Sequence, residues 1–142
     1  MGIRILLVDD HELVRQGIAE LLTAEPDLDV VGEAASVAEA LARADQADAD
    51  VAVVDVRLPD GSGIDLCREL RGRVPAMRCL VLTADADSRD DAIAAGASGF
   101  VLKQVLGLTL VDAVRTVGAG GCFLDSGLPG GPETPAIKGK QR

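Results

Sequence analysis

The sequence predicts an α/β fold in which a five-stranded parallel sheet carries helices on both faces. Three observations predict it. Short β-like runs alternate with helix-like segments through the first 125 residues. Three of those runs are continuously apolar, as strands buried on both faces must be. Strict β-then-α alternation calls for parallel pairing through right-handed crossovers.

The elements follow in order. Residues 4–8 form the first strand and residues 12–23 the first helix, with Leu13, Val14, Gly17, Ile18, Leu21 and Leu22 on one stripe. Residues 29–33 form the second strand. Residues 37–44 form the second helix, with Val37, Ala40, Leu41 and Ala44 facing the core and Ser36 with Glu39 as a capping box. Residues 51–55 are the third strand, and Pro59-Asp60-Gly61 supplies turn chemistry after it. Residues 64–73 form the third helix, turning Leu66, Cys67 and Leu70 inward. Residues 79–83 are the fourth strand. A short helix over 89–95 starts at Ser88 and stops at Gly96. Residues 99–103 are the fifth strand. The last helix, 108–117, carries Leu110, Val111, Val114 and Val117 before Gly118 and Gly120. The expected architecture is a (βα)5, flavodoxin-like, doubly wound fold with strand order 2-1-3-4-5.

The 142 residues suit one domain. Residues 1–125 are read as that domain. Residues 126–142 hold three of the six prolines and four of the sixteen glycines, and read as a flexible linker or tail. No DNA-binding domain is expected in that tail. The 14 basic residues against 23 acidic ones leave a net charge of −9, which opposes direct binding to nucleic acid. Phe100 and Phe123 are the only aromatic residues, so base stacking has almost no support. No apolar run approaches the roughly 20 residues of a membrane span. Cys67, Cys79 and Cys122 form no CxxC pair, which favours a reducing cytoplasm over a disulfide framework. Cys67 and Cys79 read as small core residues.

Ligands of doubly wound sheets bind at the carboxyl ends of the strands. Here the first strand ends in Asp9-Asp10, the third in Asp55, the fourth in Thr83 and the fifth in Lys103. Three carboxylates on one edge repel unless a cation joins them. Mg²⁺ suits them, being hard and oxygen-seeking. A cation beside a nucleophilic carboxylate, an ammonium and a hydroxyl is a phosphoryl-transfer arrangement. Arg57 reads as a solvated charge at the mouth of the site. His11, the only histidine, reads as a surface or helix-start residue.

The segments ILLVDDH, VAVVDVRLPDGSGIDL, CLVLTA and AGASGFVLK resemble the receiver domain of bacterial two-component response regulators. The resemblance covers residues 3 to about 122. DDH, VVGEA and Gln104 after Lys103 are similar to the NarL/LuxR-type subgroup. The stretches EPDLDVVGEAASVAEA, DVRLPDGSGIDLCREL and VGAG are especially similar to a mycobacterial member. The resemblance implies that Asp55 accepts a phosphoryl group from a sensor histidine kinase. It implies that Asp10, Asp55 and the Arg57 carbonyl ligate Mg²⁺, with Asp9 acting through water. Lys103 would pair with phosphoryl oxygens, and Thr83 and Phe100 would act as switch residues. A homodimer is left open, DNA would be reached only through an output domain, and no membrane partner is implied.

The chain departs from that pattern in two places. Between Thr83 and Phe100 it is shorter by about two residues, and Asp85, Asp87, Asp90 and Asp91 make this stretch acidic. PETPAIKGKQR shows no helical periodicity where a helix-turn-helix is expected. Other classes fit less well. A haloacid-dehalogenase-like phosphatase needs a second Asp where Arg57 stands. A flavodoxin-like cofactor binder needs a Gly/Ser/Thr-rich loop where Asp9-Asp10-His11 stands. A degenerate receiver working by contacts alone is the remaining alternative.

Overall fold

The computed structural model describes residues 2–103, 108–125 and 132–133. β1 (Ile3–Val8) leads into α1 (Glu12–Thr23), β2 (Leu28–Ala34) and α2 (Val37–Ala47). β3 (Val51–Asp55) is followed by a two-residue ladder, β4 (Arg57–Leu58) with β5 (Gly61–Ser62), and by α3 (Gly63–Arg73). β6 (Arg78–Thr83), a 3-10 turn over Ala86–Ser88, α4 (Arg89–Ala94), β7 (Gly99–Leu102) and α5 (Leu108–Gly118) complete the expected alternation. β8 (Phe123–Asp125) and β9 (Pro132–Glu133) come last.

The sheet runs β2-β1-β3-β6-β7, the expected 2-1-3-4-5 order, and continues through β8 and β9 to seven strands. The five expected strands are all present in that order, and β8 and β9 are added at the β7 edge. β8 pairs parallel with β7 through Gly99 and Phe100, and β9 turns back antiparallel on β8. β8 covers backbone groups that β7 would otherwise leave at an open edge, and β9 does the same for β8. Most of the segment read as a tail lies outside the described residues; Pro132 and Glu133 within it pair with Asp125 and Leu124.

Side-chain alternation splits the apolar residues into two cores. Leu6 and Val8, Ala52 and Val54, Cys79 and Val81, and Phe100 and Leu102 meet α2, α3 and α4 on one face. Ile5 and Leu7, Val51 and Val53, Leu80 and Leu82, and Val101 meet α1 and α5 on the other. Each fully buried Leu or Ile contributes about 1.5–3 kcal/mol. Cys67 and Cys79 are buried free thiols in the first core, and their contact with each other and their burial push the Cys67 thiol up.

The inward face of α1 differs from the expected stripe. Ile18 and Leu22 are buried, whereas Leu13 is 82% exposed, Val14 is 38% exposed and Gly17 faces solvent. Leu13 and Val14 in the first turn of α1 stay outside the core that Ile18 and Leu22 join. The α2 cap forms with one change. Ser36 Oγ accepts from the Glu39 N–H at 3.1 Å, but Glu39 Oε1 accepts from the N–H of Ala35 rather than of Ser36. Ser88 makes no side-chain cap for α4; Asp85 starts the preceding 3-10 turn by accepting the Asp87 N–H at 2.9 Å. Gly96 ends the helix region at φ +94°, where the chain favours glycine.

Candidate functional site

Parallel pairing brings the carboxyl ends of β1, β3, β6 and β7 to one edge. Asp9, Asp55 and Thr83 are the buried polar residues of the described chain, and all three lie there. They line or adjoin a cleft of about 410 Å³ formed by His11, Asp55, Arg57, Thr83, Ala84, Asp85 and Lys103.

Lys103 Nζ stands 3.2 Å from Asp55 Oδ2 and 3.5 Å from Asp9 Oδ2. One ammonium therefore bridges the acids of two strands. Asp9 Oδ1 accepts the His11 N–H at 2.9 Å, which aims the acid across the strand end. Asp9 Oδ2 is buried and accepts no hydrogen bond, and the Lys103 ammonium 3.5 Å away is the cation that offsets its charge. A buried carboxylate oxygen in that state is costly unless a donor or cation joins it. Burial pushes the Asp55 carboxyl above its ordinary range; the Lys103 ammonium pulls it back, and the Asp9 charge adds to the rise. The Arg57 backbone N–H also favours the ionised form of Asp55. Thr83 Oγ1 accepts the Asp85 N–H at 3.1 Å, so the hydroxyl is oriented by the loop that follows β6.

Asp9, Asp10, His11 and Asp55 each place a ligand atom within 4.8 Å of the others. The acidic cluster with an ammonium beside it has the chemistry of a hard-cation and phosphoryl site.

Sequence reasoning placed Asp9, Asp10, Asp55, Thr83 and Lys103 together at this edge, and the structure brings them together. Arg57 is exposed and lines the cleft mouth. Phe100 lies away from the cleft, fully buried in the core under α3 and α4.

Three contributors escaped sequence reasoning. His11 was assigned to the helix start and does precede α1, yet its Nδ1 also lies 3.2 Å from Asp10 Oδ1. Its adjacency to Asp9-Asp10 was the available signal. Asp60, read as a turn former, accepts from the N–H groups of Val37 and Ala38 and ties the β4–β5 turn to α2. Gly63 packs against the end of β3, where an added Cβ would meet the Asp55 carbonyl oxygen at 2.0 Å. No local sequence signal marks that approach.

Residues 5–115 match the family model for the response regulator receiver domain. The chain belongs to that family. It is 57% identical over 126 residues to the DNA-binding transcriptional activator DevR/DosR of Mycobacterium tuberculosis, covering 87% of this chain and 58% of that protein. It is 36% identical to the transcriptional regulatory protein LnrK of Bacillus subtilis, covering 86% of this chain and 56% of that one. The chain thus spans a little over half the length of the curated relatives it matches. Among solved structures, the receiver domain of NarL from M. tuberculosis superposes with a TM-score of 0.79 at 31% identity, covering 84% of this chain and 98% of that one. A LuxR-family response regulator from Aurantimonas superposes with a TM-score of 0.81 at 33% identity, covering 99% and 95%. The protein is a receiver of two-component signalling, of NarL/LuxR type.

Proposed function

We propose that Asp55 accepts a phosphoryl group from the phosphohistidine of a sensor histidine kinase, in a Mg²⁺-dependent reaction. The observation that carries this reading is the Lys103 ammonium set between buried Asp55 and buried Asp9. Asp10, Asp55 and the Arg57 carbonyl would hold the ion, with Asp9 reached through a water. When bound, Mg²⁺ supplies positive charge that offsets the three acids and the phosphoryl oxygens.

The chain's own residues do the rest. An Asp55 carboxylate oxygen attacks phosphorus in line, the phosphorus–nitrogen bond breaks, and the imidazole leaves with its electron pair. Lys103 loses part of its pairing with Asp55 and follows the new phosphoryl oxygens. Burial leaves the ionised Asp55 carboxylate poorly solvated and so more reactive as a nucleophile, while the charge of the acyl phosphate is met by Lys103 and the cation. Thr83 rotates its hydroxyl to donate a hydrogen bond to the phosphoryl group. That rotation opens room under the β6–α4 loop, toward which Phe100 turns. The resulting population shift alters the α4–β7–α5 face.

The domain catalyses only its own phosphorylation and dephosphorylation, in the cytoplasm, and turns over no external metabolite. Its partners are the kinase and, on phosphorylation, a second copy of itself. DNA is reached through an output domain beyond the receiver. In support, DevR/DosR is a DNA-binding activator, and RcsB, a 26%-identical neighbour, is described as dimers bound to DNA.

Intact mass after incubation with Mg²⁺ and acetyl phosphate tests the reading. Wild type gains one phosphoryl group, and Asp55→Ala gains none. Folded wild type that binds Mg²⁺ yet gains nothing, with its cognate kinase as well as acetyl phosphate, sinks the proposal and leaves a receiver acting through contacts alone.

A further inference from the structure

We infer that Asp60 is a positioning residue for the Asp55 reaction: by gripping the N-terminus of α2 it fixes the β4–β5 loop, and with it Arg57 at the cleft. The inference rests on the receiver reading above. It goes further by giving a role to a residue that touches no reacting atom.

The first turn of α2 is capped from two places. Ser36, next in the chain, accepts the Glu39 N–H on its Oγ at 3.1 Å and the Ala40 N–H on its carbonyl at 3.0 Å. Asp60, 23 residues beyond Val37, takes the remaining two donors. Its Oδ1 accepts from Val37 at 2.8 Å and its Oδ2 from Ala38 at 3.0 Å. The helix does not need that carboxylate. Val37 is half-buried and Ala38 exposed, and water serves N–H groups at such an end.

The loop has more to gain. β4 and β5 pair through two residues each, Arg57 with Ser62 and Leu58 with Gly61. So short a ladder is marginal by itself. Leu58 is buried and holds the loop from beneath, whereas Arg57, Pro59, Asp60 and Gly61 are exposed. The two bonds of Asp60 tie this exposed tip to α2. Arg57 lies between Asp55 and Asp60 in the chain and lines the cleft with Asp55 and Lys103. Its carbonyl is the backbone ligand of the reading above, so the hold on the tip sets where that ligand stands. Coupling of this kind is reciprocal. A cation that settles Arg57 also tightens the grip of Asp60 on α2.

The test compares the full chain as wild type, Asp60→Ala, Asp60→Asn and Ser36→Ala. Ser36→Ala removes a cap from the same helix without touching the loop, so it reports what fraying of α2 does alone. In metal-free protein, amide hydrogen exchange across residues 57–62 is faster in Asp60→Ala and unchanged in Ser36→Ala. By calorimetry, Mg²⁺ binds Asp60→Ala roughly tenfold more weakly than wild type, the low end of what partners outside the ligand set contribute. Asp60→Asn, which keeps one acceptor oxygen, recovers part of that affinity, and Ser36→Ala binds as wild type does. In wild type, Mg²⁺ slows exchange at the Val37 and Ala38 amides. Unchanged loop exchange and Mg²⁺ affinity in Asp60→Ala overturn the inference. So do equal losses in Asp60→Ala and Ser36→Ala, which assign the effect to the helix. If Asp60→Ala does not fold, Asp60→Asn against Ser36→Ala makes the same comparison. Wild type that binds no Mg²⁺ and gains no phosphoryl group overturns the receiver reading, while exchange in the metal-free protein still decides whether Asp60 holds the loop.

Discussion

Asp55 is a carboxylate placed where a carboxylate is poorly solvated. It is 5% exposed, and its nearest cation, Lys103, is shared with Asp9. Burial raises its protonation above the ordinary range. The folded state therefore binds this proton more tightly than the unfolded chain does, and ionisation costs stability at neutral pH. In EDTA, Asp55→Asn has a higher melting temperature than wild type, because the amide keeps the shape without the charge. A shift of roughly 4 °C corresponds to about 1 kcal/mol in a domain of this size. Mg²⁺ narrows the gap by stabilising wild type alone. A variant that melts at or below wild type in EDTA contradicts the strain assigned to Asp55. Function here is held against stability, as is common where reactive groups are assembled.

At the scale of elements, Gly63 shows how a helix start positions a nucleophile. The Gly63 N–H donates to the Val56 carbonyl at 2.8 Å, folding α3 tightly against the end of β3. A Cβ there meets the Asp55 carbonyl oxygen at 2.0 Å and Val54 Cγ1 at 2.8 Å. Gly63→Ala is expected to cost about 1–3 kcal/mol in urea unfolding and to slow phosphorylation of Asp55. Gly72→Ala, in the same helix with nothing within 4 Å of the new Cβ, gains about 0.5–1 kcal/mol instead. Equal effects at the two glycines refute the packing argument. In α1 the contrast is between buried and exposed positions of one stripe. Ile18→Ala loses about 2–4 kcal/mol, while Leu13→Ser stays within about 0.5 kcal/mol of wild type by chemical denaturation. A periodic stripe can be read from the sequence alone, but which of its positions the rest of the fold covers cannot. Hence Ile18 and Leu22 were legible as core, and the exposure of Leu13 and Val14 was not.

Across the whole molecule, charge couples distant segments. Arg115 on α5 pairs with Asp27 Oδ2 at 2.9 Å and Glu25 Oε1 at 2.7 Å, tying the last helix to the α1–β2 turn. The Arg115 hydrogen bond holds the Asp27 carboxyl below its ordinary range, and the Val37 and Ala38 N–H groups do the same for Asp60. For both acids the folded value lies below the unfolded one. Their contribution is present above pH 3.8 and is lost as pH falls through the depressed folded values. Asp55 has the opposite sign: stability rises as pH falls through its raised folded value toward 3.8. The urea midpoint of metal-free wild type therefore climbs on mild acidification and drops once the pH passes below about 4. In Asp55→Asn the climb shrinks and the acid drop remains. An unaltered climb assigns it to the general relief of the −9 net charge instead.

The sequence by itself determined the alternation of strands and helices, the strand order expected of that class, and the polar residues at four strand ends. It could do so because apolar periodicity and turn chemistry are local properties. An acid immediately following an apolar strand must lie at that strand's carboxyl end wherever the strand packs. Tertiary structure alone decided what those residues touch. Lys103 reaches both Asp9 and Asp55 because β1, β3 and β7 are brought to one edge from far apart in the chain. Gly63 meets Asp55, Asp60 secures α2, and β8 extends the sheet past β7. The position of His11 shows the division most plainly. Its place after Asp10 is written in the sequence, but whether its imidazole faces water or the acids depends on a backbone turn and on three-dimensional distances of a few ångströms.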